Sequence, residues 1–242
     1  MKDFISNHTG VRERTMAIKT FQEIRERAEA RKGREAIEKR LSEYLGKPDG
    51  AAIGDDRLLA AMARYIFQSG ISWKVVESKW PGIEQAFLGF DPNLLNIQPD
   101  DFWHDLLNDT RIIRHGAKVN AVRKNAAFIS ALAREHGSAM RFLQDWPSTD
   151  LVGLYEFLAK TGDRLGGQTG QYVLRAVGKE NFVISRDVVA CLKDAGVAIT
   201  GDGSGKAERK AIQAAFNQWA EETGLPMSHL SVIAAQSVDS PE

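Results

Sequence analysis

The sequence predicts an all-α fold made of two helical lobes with a cleft between them. Apolar residues recur at helical spacing along nearly the whole chain, and Gly and Pro separate the segments. No run of strand length alternates apolar and polar residues, except over residues 182–185. The 242 residues are 43% hydrophobic, which is enough for one large domain or two small lobes.

Residues 1–54 form an N-terminal charged segment that we expect to join the second lobe. Charges alternate from about residue 16 to residue 45, which predicts a solvated helix that breaks near Gly33. A linker containing Pro48 follows, over residues 46–54. The sparse apolar stripe of this helix consists of Ile18, Phe21, Ile24, Ala28, Ile37, Leu41 and Tyr44.

Residues 55–200 form the helical core, and turn residues divide it. Asp55 or Asp56 is expected to cap a helix over residues 58–67, and Pro81-Gly82 to end the helix that starts at Trp73. The other predicted helices open at Asp91-Pro92, at Pro99 (through Leu107), at Arg114 (through His136) and at Leu151 (capped by Asp150, through Thr161).

The segment over residues 165–188 is the most informative part of the core. It predicts a tight turn at Gly166-Gly167, a helix from Gln168 or Thr169 to a stop at Gly178, and an apolar run towards Asp187. Two glycines at a helix N-terminus can leave backbone N–H groups without an acceptor in the protein, and such groups can bind one phosphate. Alternatively, this is an ordinary turn between two helices.

Residues 201–242 are predicted to form a polar loop and two helices that complete the second lobe. The helix over residues 207–222 is amphipathic. The loop over residues 201–205 lacks the Lys-Ser/Thr ending of a phosphate-binding loop, which argues against a nucleotide site.

Composition limits the function classes. Lys plus Arg and Asp plus Glu are equal at 32 each, so any binding of nucleic acid must come from local clustering of charge. Cys191 is the only cysteine, which excludes disulfide frameworks and multi-cysteine zinc sites. The polar N-terminus and the lack of a membrane-length apolar run predict a cytoplasmic protein without a membrane segment. We expect no metal and no other cofactor.

An ordered series of motifs then points to one family. Residues 68–79 fit QxGxSWxxVxxK, residues 86–92 fit AFxxFDP, and residues 112–126 fit IIRxxxKIxAxxxNA with Val in place of one Ile. Over residues 56–197 the chain resembles 3-methyladenine DNA glycosylase I of the helix-hairpin-helix glycosylase superfamily, with the helix-hairpin-helix near 157–178. The family's Cys/His zinc clasp has no counterpart here, since only one cysteine is present.

The resemblance implies a monofunctional DNA glycosylase of base-excision repair. Such an enzyme flips an alkylated purine, here expected to be 3-methyladenine, out of double-stranded DNA and hydrolyses its N-glycosidic bond. We expect a monomer that acts on damaged duplex DNA. Two alternatives remain open: a non-catalytic DNA-binding protein on the same fold, and a helical protein-interaction module.

The base pocket is expected to contain Trp73, Tyr65 and Gln68. An indole can stack on an extruded base, and a methylated purine carries positive charge, which adds a cation–π interaction. Alternatively, Trp73 is a core anchor. The family's base-recognition Glu, eight residues before the Trp, falls on Tyr65, which cannot supply a carboxylate.

Asp187 and Ser185 are the candidate catalytic residues. Most members of the superfamily place an Asp after the hairpin helix, where a carboxylate stabilises an oxocarbenium-like sugar or activates water. The apolar spacing puts Ser185 closest to that place and Asp187 two residues further on. Alternatively, Asp187 caps the helix that follows.

The DNA backbone is expected to be held at two places. The first is the hairpin, through Gly166, Gly167, Thr169 and Gly170. The second is a basic run without acidic residues from Thr110 to Arg134, in which Arg114 and Lys118 lie four residues apart on one helix face. Alternatively, this run is a solvated helix face.

Overall fold

The computed structural model describes residues 18–45 and 53–239, and this part of the chain is helical without a β-strand. No helix in these two ranges has the length and apolar character needed to cross a membrane. Within these ranges, 3₁₀ turns at Leu88–Phe90 and Ser148–Asp150 interrupt the series. The α-helices are α1 (Phe21–Lys32), α2 (Arg34–Leu45), α3 (Asp55–Gln68), α4 (Trp73–Ala86), α5 (Pro92–Asn96), α6 (Asp100–Asp105), α7 (Gly116–His136), α8 (Ala139–Asp145), α9 (Leu151–Thr161), α10 (Gln168–Ala176), α11 (Arg186–Asp194), α12 (Lys206–Thr223) and α13 (Met227–Gln236).

The first lobe is built around α3 and α7. These two helices pack against each other, α5 and α8 pack against α7, and α10 packs against α3. A cluster of buried aromatic rings fills the space beneath α4 and the 3₁₀ turn that follows it. Phe87 stacks on Phe90 with ring centroids 5.4 Å apart, and Phe67 and Trp103 contact Phe87 as well.

The second lobe joins both ends of the described chain. Helices α1 and α2 pack on α13, which also packs on α11 and α12, while α9 contacts both α10 and α12 and so connects the lobes. Thr20 caps α1 in a capping box with Glu23, and Gly33, at φ 82°, separates α1 from α2 as the sequence predicted. Most of the predicted linker over 46–54, including Pro48, lies outside the described residues.

The sequence predicted that α4 ends at Pro81-Gly82. That prediction is wrong, because α4 continues through both residues to Ala86. Interior proline costs a helix about 3 kcal/mol, and burial of Trp80, Ile83 and Ala86 on the core side outweighs that cost. Gly82 allows a close approach, because a Cβ there would lie 3.1 Å from the carbonyl oxygen of Arg111.

Asp55 caps a helix other than the one predicted for it. Helix α3 begins after Gly54 without a side-chain cap. The Asp55 carboxylate instead accepts hydrogen bonds from the backbone N–H of Ala139 (3.1 Å) and Met140 (2.8 Å) and from the hydroxyl of Ser138 (2.9 Å). It therefore satisfies the N-terminus of α8 and fastens α3 to α8.

The apolar run before α11 is an extended segment that pairs with side chains and not with another strand. The Val183 N–H donates to the Ser231 hydroxyl at 3.0 Å, and the carbonyl oxygen of Phe182 accepts from the Tyr155 hydroxyl at 2.6 Å. Burial raises the pKa of Tyr155 far above its usual range, so this phenol stays a hydrogen-bond donor. The backbone groups are thus satisfied by two neighbouring helices.

Candidate active site and DNA-contact surface

The turn between α9 and α10 presents backbone N–H groups to solvent. Gly166 and Gly167 are exposed, and Gly167 has φ 59° and ψ −137°, a conformation that is essentially restricted to glycine. Among the described residues, the N–H groups of Gly166, Gly167 and Thr169 find no hydrogen-bond acceptor. The turn therefore keeps donors available for an external acceptor at the N-terminus of α10.

Helix α7 holds this turn in place through a buried asparagine. The side-chain oxygen of Asn125 accepts from the Asp163 N–H at 2.9 Å, and its amide donates to the Asp163 carbonyl at 3.0 Å. Gly170 provides space where the turn packs against the start of α10. It is buried, and a Cβ there would collide with the carbonyl oxygen of Leu165, so a glycine is required for packing at this position. Contact of Gly170 with the DNA backbone stays a prediction.

The prediction that Lys118 binds a phosphate is wrong, because its ammonium group is buried and donates hydrogen bonds within the protein. The side chain is only 4% exposed, and its Nζ donates to the carbonyl oxygens of Phe67 (3.0 Å) and Ser69 (2.5 Å). Burial, together with the nearby Arg164 guanidinium, lowers the pKa of Lys118. Lys118 thus satisfies the carbonyl groups at the end of α3.

The rest of the basic run, on α7 and just before it, is also largely paired. Arg111 binds Asp109 at 2.6 Å, Arg123 binds Asp100 at 2.6 Å, and Lys124 binds Asp163 at 2.8 Å. Within the described residues, Arg114 is exposed and forms no ion pair. Of the two predicted phosphate ligands on this run, only Arg114 stays available.

Trp73 is a surface residue and not a core anchor. It opens α4 with 61% of its surface exposed. Gln68 is the last residue of α3, before the turn that leads to Trp73, and its side-chain amide donates to Glu77 at 3.2 Å. Because Lys118 binds the carbonyl groups on both sides of Gln68, one buried ammonium fixes the turn that positions Trp73.

Tyr172 contacts Tyr65 and lines the same cleft as Asp187. The rings of Tyr65 and Tyr172 stack with centroids 6.0 Å apart and planes 12° apart. Tyr172 in turn lines a cleft of about 210 Å³ that also contains Ser185 and Asp187, and that we call the Asp187 cleft. Trp73 and Gln68 do not line this cleft, so the structure brings together only part of the predicted site.

Two glutamines of α10 fix the start of α11. Gln168 donates to the carbonyl oxygen of Ile184 at 3.0 Å, and the Ile184 N–H donates to Gln171 at 2.7 Å. Both bonds hold the chain immediately before Ser185. The helix that carries the exposed turn therefore also sets the position of the candidate catalytic residues.

Ser185, and not Asp187, caps α11. The Ser185 hydroxyl accepts from the Val188 N–H at 3.3 Å, which is the N-cap interaction. The alternative that Asp187 is the cap is therefore wrong, and the Ser185 hydroxyl has a structural partner. Asp187 is half-buried in the cleft, and its carboxylate has no hydrogen bond or ion pair with any described residue.

Several residues of the Asp187 cleft were not among the predicted site residues. Tyr172 and Arg175 continue the spacing of Gln168 and Gln171 along α10, so a polar helix stripe signalled them. Arg40, on α2, also lines the cleft. No local pattern marks Arg40, because only the packing of the first helices on α13 brings it there.

Comparisons with known proteins complement this geometry. Residues 35–154 match the sequence model of the methyladenine glycosylase family, just under half of the chain, in agreement with the motif series. A solved 3-methyladenine DNA glycosylase I is 25% identical, with TM-score 0.46 over 55% of this chain and 82% of that one. The Staphylococcus aureus 3-methyladenine DNA glycosylase I is 22% identical, with TM-score 0.46 over 52% and 77%. A single-residue variant of such an enzyme, in complex with 3-methyladenine, is 22% identical with TM-score 0.47 over 55% and 80%.

Proposed function

We propose that this chain, which resembles the methyladenine glycosylase family over residues 35–154, is a monofunctional DNA glycosylase. It would remove an alkylated purine, with 3-methyladenine as the expected base. The reaction is hydrolytic and leaves an abasic site. We propose double-stranded DNA with alkylated bases as the partner, bound by a monomer. The family match over residues 35–154 supports the reaction class.

The exposed turn before α10 would hold the DNA backbone. The N–H groups of Gly166, Gly167 and Thr169 have no acceptor in the described structure, and the N-terminus of a helix favours negative charge. A phosphate bound there fixes the strand without reading its sequence. Arg114 would add an exposed cation for a second phosphate, and Trp73 offers an exposed aromatic ring for stacking.

The chemistry of the proposed reaction needs little acid catalysis. A purine methylated at N3 is cationic, so it leaves as a neutral base when the bond to the sugar carbon breaks and takes both electrons of that bond. Water then forms the new carbon–oxygen bond and gives up a proton. The charge that must be stabilised is the positive charge developing on the sugar.

Asp187 is the residue that we assign to this stabilisation. The single observation that carries the assignment is its carboxylate, half-buried in a cleft and without a partner among the described residues. A carboxylate in a cleft with no partner in the protein stays available to a positive charge that develops on a bound sugar. Gln168 and Gln171 fix the segment before it, so the carboxylate is held relative to the turn that would bind phosphate.

One observation favours the second candidate, a DNA-binding protein without catalysis. Tyr65 stands where the family's base-recognition Glu is expected, and its ring is stacked on Tyr172. A phenol offers stacking and one hydrogen bond to a base, but no negative charge to a cationic one.

Release of free base from methylated DNA tests the proposal. Duplex DNA treated with a methylating agent is incubated with the protein, and the bases set free are identified by mass spectrometry. We expect 3-methyladenine to be released faster than in a protein-free sample. Binding to methylated duplex without any release of base would refute catalysis and support the second candidate.

A further inference from the structure

We propose that a groove beside the exposed turn binds phosphates of the DNA strand through Lys193 and Arg209. This hairpin groove has a volume of about 590 Å³ and runs from Gly167 and Gln168 along α11 to the loop over residues 201–204. The proposal rests on the proposed function and extends its DNA contact. The groove lies entirely outside residues 35–154, the range that matches the family.

The charges of the groove support a phosphate ligand. Arg186, Lys193 and Arg209 line it from two helices. Lys193 and Arg209 form no ion pair within 4.0 Å with any described residue, in contrast to the paired cations of α7. Cations that converge on an open groove and are not paired internally are available to a polyanion.

Asp202 is the one acidic residue among the lining residues, and it is exposed. Its carboxylate accepts the N–H of Ser204 at 3.0 Å. Hydrogen bonds from Ser204, with a smaller contribution from Arg209, keep the pKa of Asp202 below its usual range. Lys193 and Arg209 against the single Asp202 carboxylate leave one excess positive charge among these three lining residues.

The far wall of the groove is preformed. The Glu208 carboxylate accepts the N–H groups of Thr200 (2.8 Å), Gly201 (2.6 Å) and Gly203 (3.1 Å), so the loop is tied to the first turn of α12. Gly203, at φ 82°, sits on the apolar floor, where a Cβ would lie 3.0–3.1 Å from Ile184, Val189 and Ile212. A rigid wall loses little conformational entropy when a ligand binds.

The groove is continuous with the backbone N–H groups of the turn. Gly167 belongs to both surfaces, because it carries a bare N–H and lines the groove. A strand with one phosphate on the turn would therefore meet Lys193 and Arg209 with its next phosphates. This places the additional contact on the strand that the turn would already hold.

Salt-dependent DNA binding tests the groove. Affinity for a fluorescein-labelled duplex with a tetrahydrofuran abasic-site analogue is measured by fluorescence anisotropy over a series of salt concentrations. The proteins are the parent chain, Lys193→Ala, Arg209→Ala, the double variant and Lys210→Ala. Lys210 is the matched control, since it neighbours Arg209 on α12, is exposed and does not line the groove.

Each lost phosphate contact should reduce the slope of log affinity against log salt by about 0.9, so the double variant should lose about 1.8. Lys210→Ala should keep the parent slope. If the double variant also has the parent slope of log affinity against log salt, and the parent protein releases base, the groove proposal is overturned and the proposed function stands. A parent protein that neither binds the duplex nor releases base would overturn both.

Discussion

The basic run of α7 and the hairpin groove both carry several cations but use them differently. On α7 and just before it, Arg111, Arg123 and Lys124 are paired with carboxylates, and Lys118 is buried against carbonyl groups. In the hairpin groove, Lys193 and Arg209 have no ion pair within the described structure. A run of positive charge in sequence is therefore a poor guide to a binding surface, because tertiary contacts decide which charges stay available.

The paired and buried residues of α7 and the unpaired residues around α10 also have different roles in the candidate site. Helix α7 positions other elements: Lys118 fixes the turn before Trp73, and Asn125 fixes the turn after α9. Helix α10 and the residues after it would contact the ligand, through the bare N–H groups, Asp187 and the groove. Variants of the buried α7 residues should therefore change stability, and variants around α10 should change catalysis or binding.

The largest effect is expected for Asp187→Asn. Loss of the carboxylate should slow release of base at least tenfold, and a well-placed charge can contribute roughly 3–4 kcal/mol to a transition state. Thermal melting and DNA affinity should stay near normal, because Ser185 holds the cap of α11. Single-turnover release on 3-methyladenine and on a poorer leaving group measures this. Equal rates for both proteins on both bases would remove Asp187 from the mechanism.

Lys118→Met should lower the free energy of unfolding by about 2–3 kcal/mol, since the carbonyl groups of Phe67 and Ser69 lose a charged donor. Urea denaturation followed by circular dichroism measures it. Arg114→Ala is the matched variant from the same basic run: it should leave stability within about 0.5 kcal/mol and reduce the salt slope of DNA binding. If Lys118→Met instead reduced the salt slope without loss of stability, and Arg114→Ala did not change the slope, Lys118 would be the phosphate ligand and the contrast between α7 and the groove would fail.

Trp73→Ala should weaken binding to duplex with a damaged base by roughly 1–3 kcal/mol, the range for stacking of a base on an aromatic ring. The fold should be unaffected, because the indole is 61% exposed. Affinity for undamaged duplex should change little. Ile97→Ala serves as control, because Ile97 is 76% exposed and apolar as well. Loss of binding in both variants would point to a general surface effect and not to a base pocket.

The smallest effect concerns the loop behind the groove. Hydrogen bonds from the backbone of Gly201 and its neighbours lower the pKa of Glu208 in the folded state. A lowered pKa contributes stability above the pKa of the unfolded chain, and that contribution is lost as pH falls through the folded-state pKa. Glu208→Gln should therefore lower the Tm at pH 7, and the difference from the parent should shrink in acid. Glu221→Gln, exposed on the same helix, should show no such difference.

The all-α fold and the turn before α10 could be predicted because local signals specify them. Gly33, Asp91, Asp150 and Gly167 end or cap helices where their chemistry requires it. The contacts that could not be predicted join distant parts of the chain. Asp55 caps a helix that begins 84 residues further on, and no property of its neighbours reveals that partner.

The same limit applies to the candidate site. Asp187 could be proposed from sequence because it follows the helix after the turn, whereas the cap role of Ser185 depends on where α11 begins. The family motif and the helical spacing are compatible with Lys118 as a phosphate ligand and as a buried hydrogen-bond donor. Only the burial of its side chain in the fold distinguishes these two roles. Arg209 lies beyond every motif, so its place in the groove emerges from packing alone.

The most direct test of the central claim is cleavage at one defined lesion. A duplex with a single 3-methyladenine is incubated with excess protein, and alkali-labile breaks are mapped on a gel, beside a duplex with adenine at that position. We expect a break at the lesion alone, formed by the parent protein and at most about one tenth as fast by Asp187→Asn. Tighter binding to the lesion duplex without any break would contradict a glycosylase and leave a protein that only recognises damage.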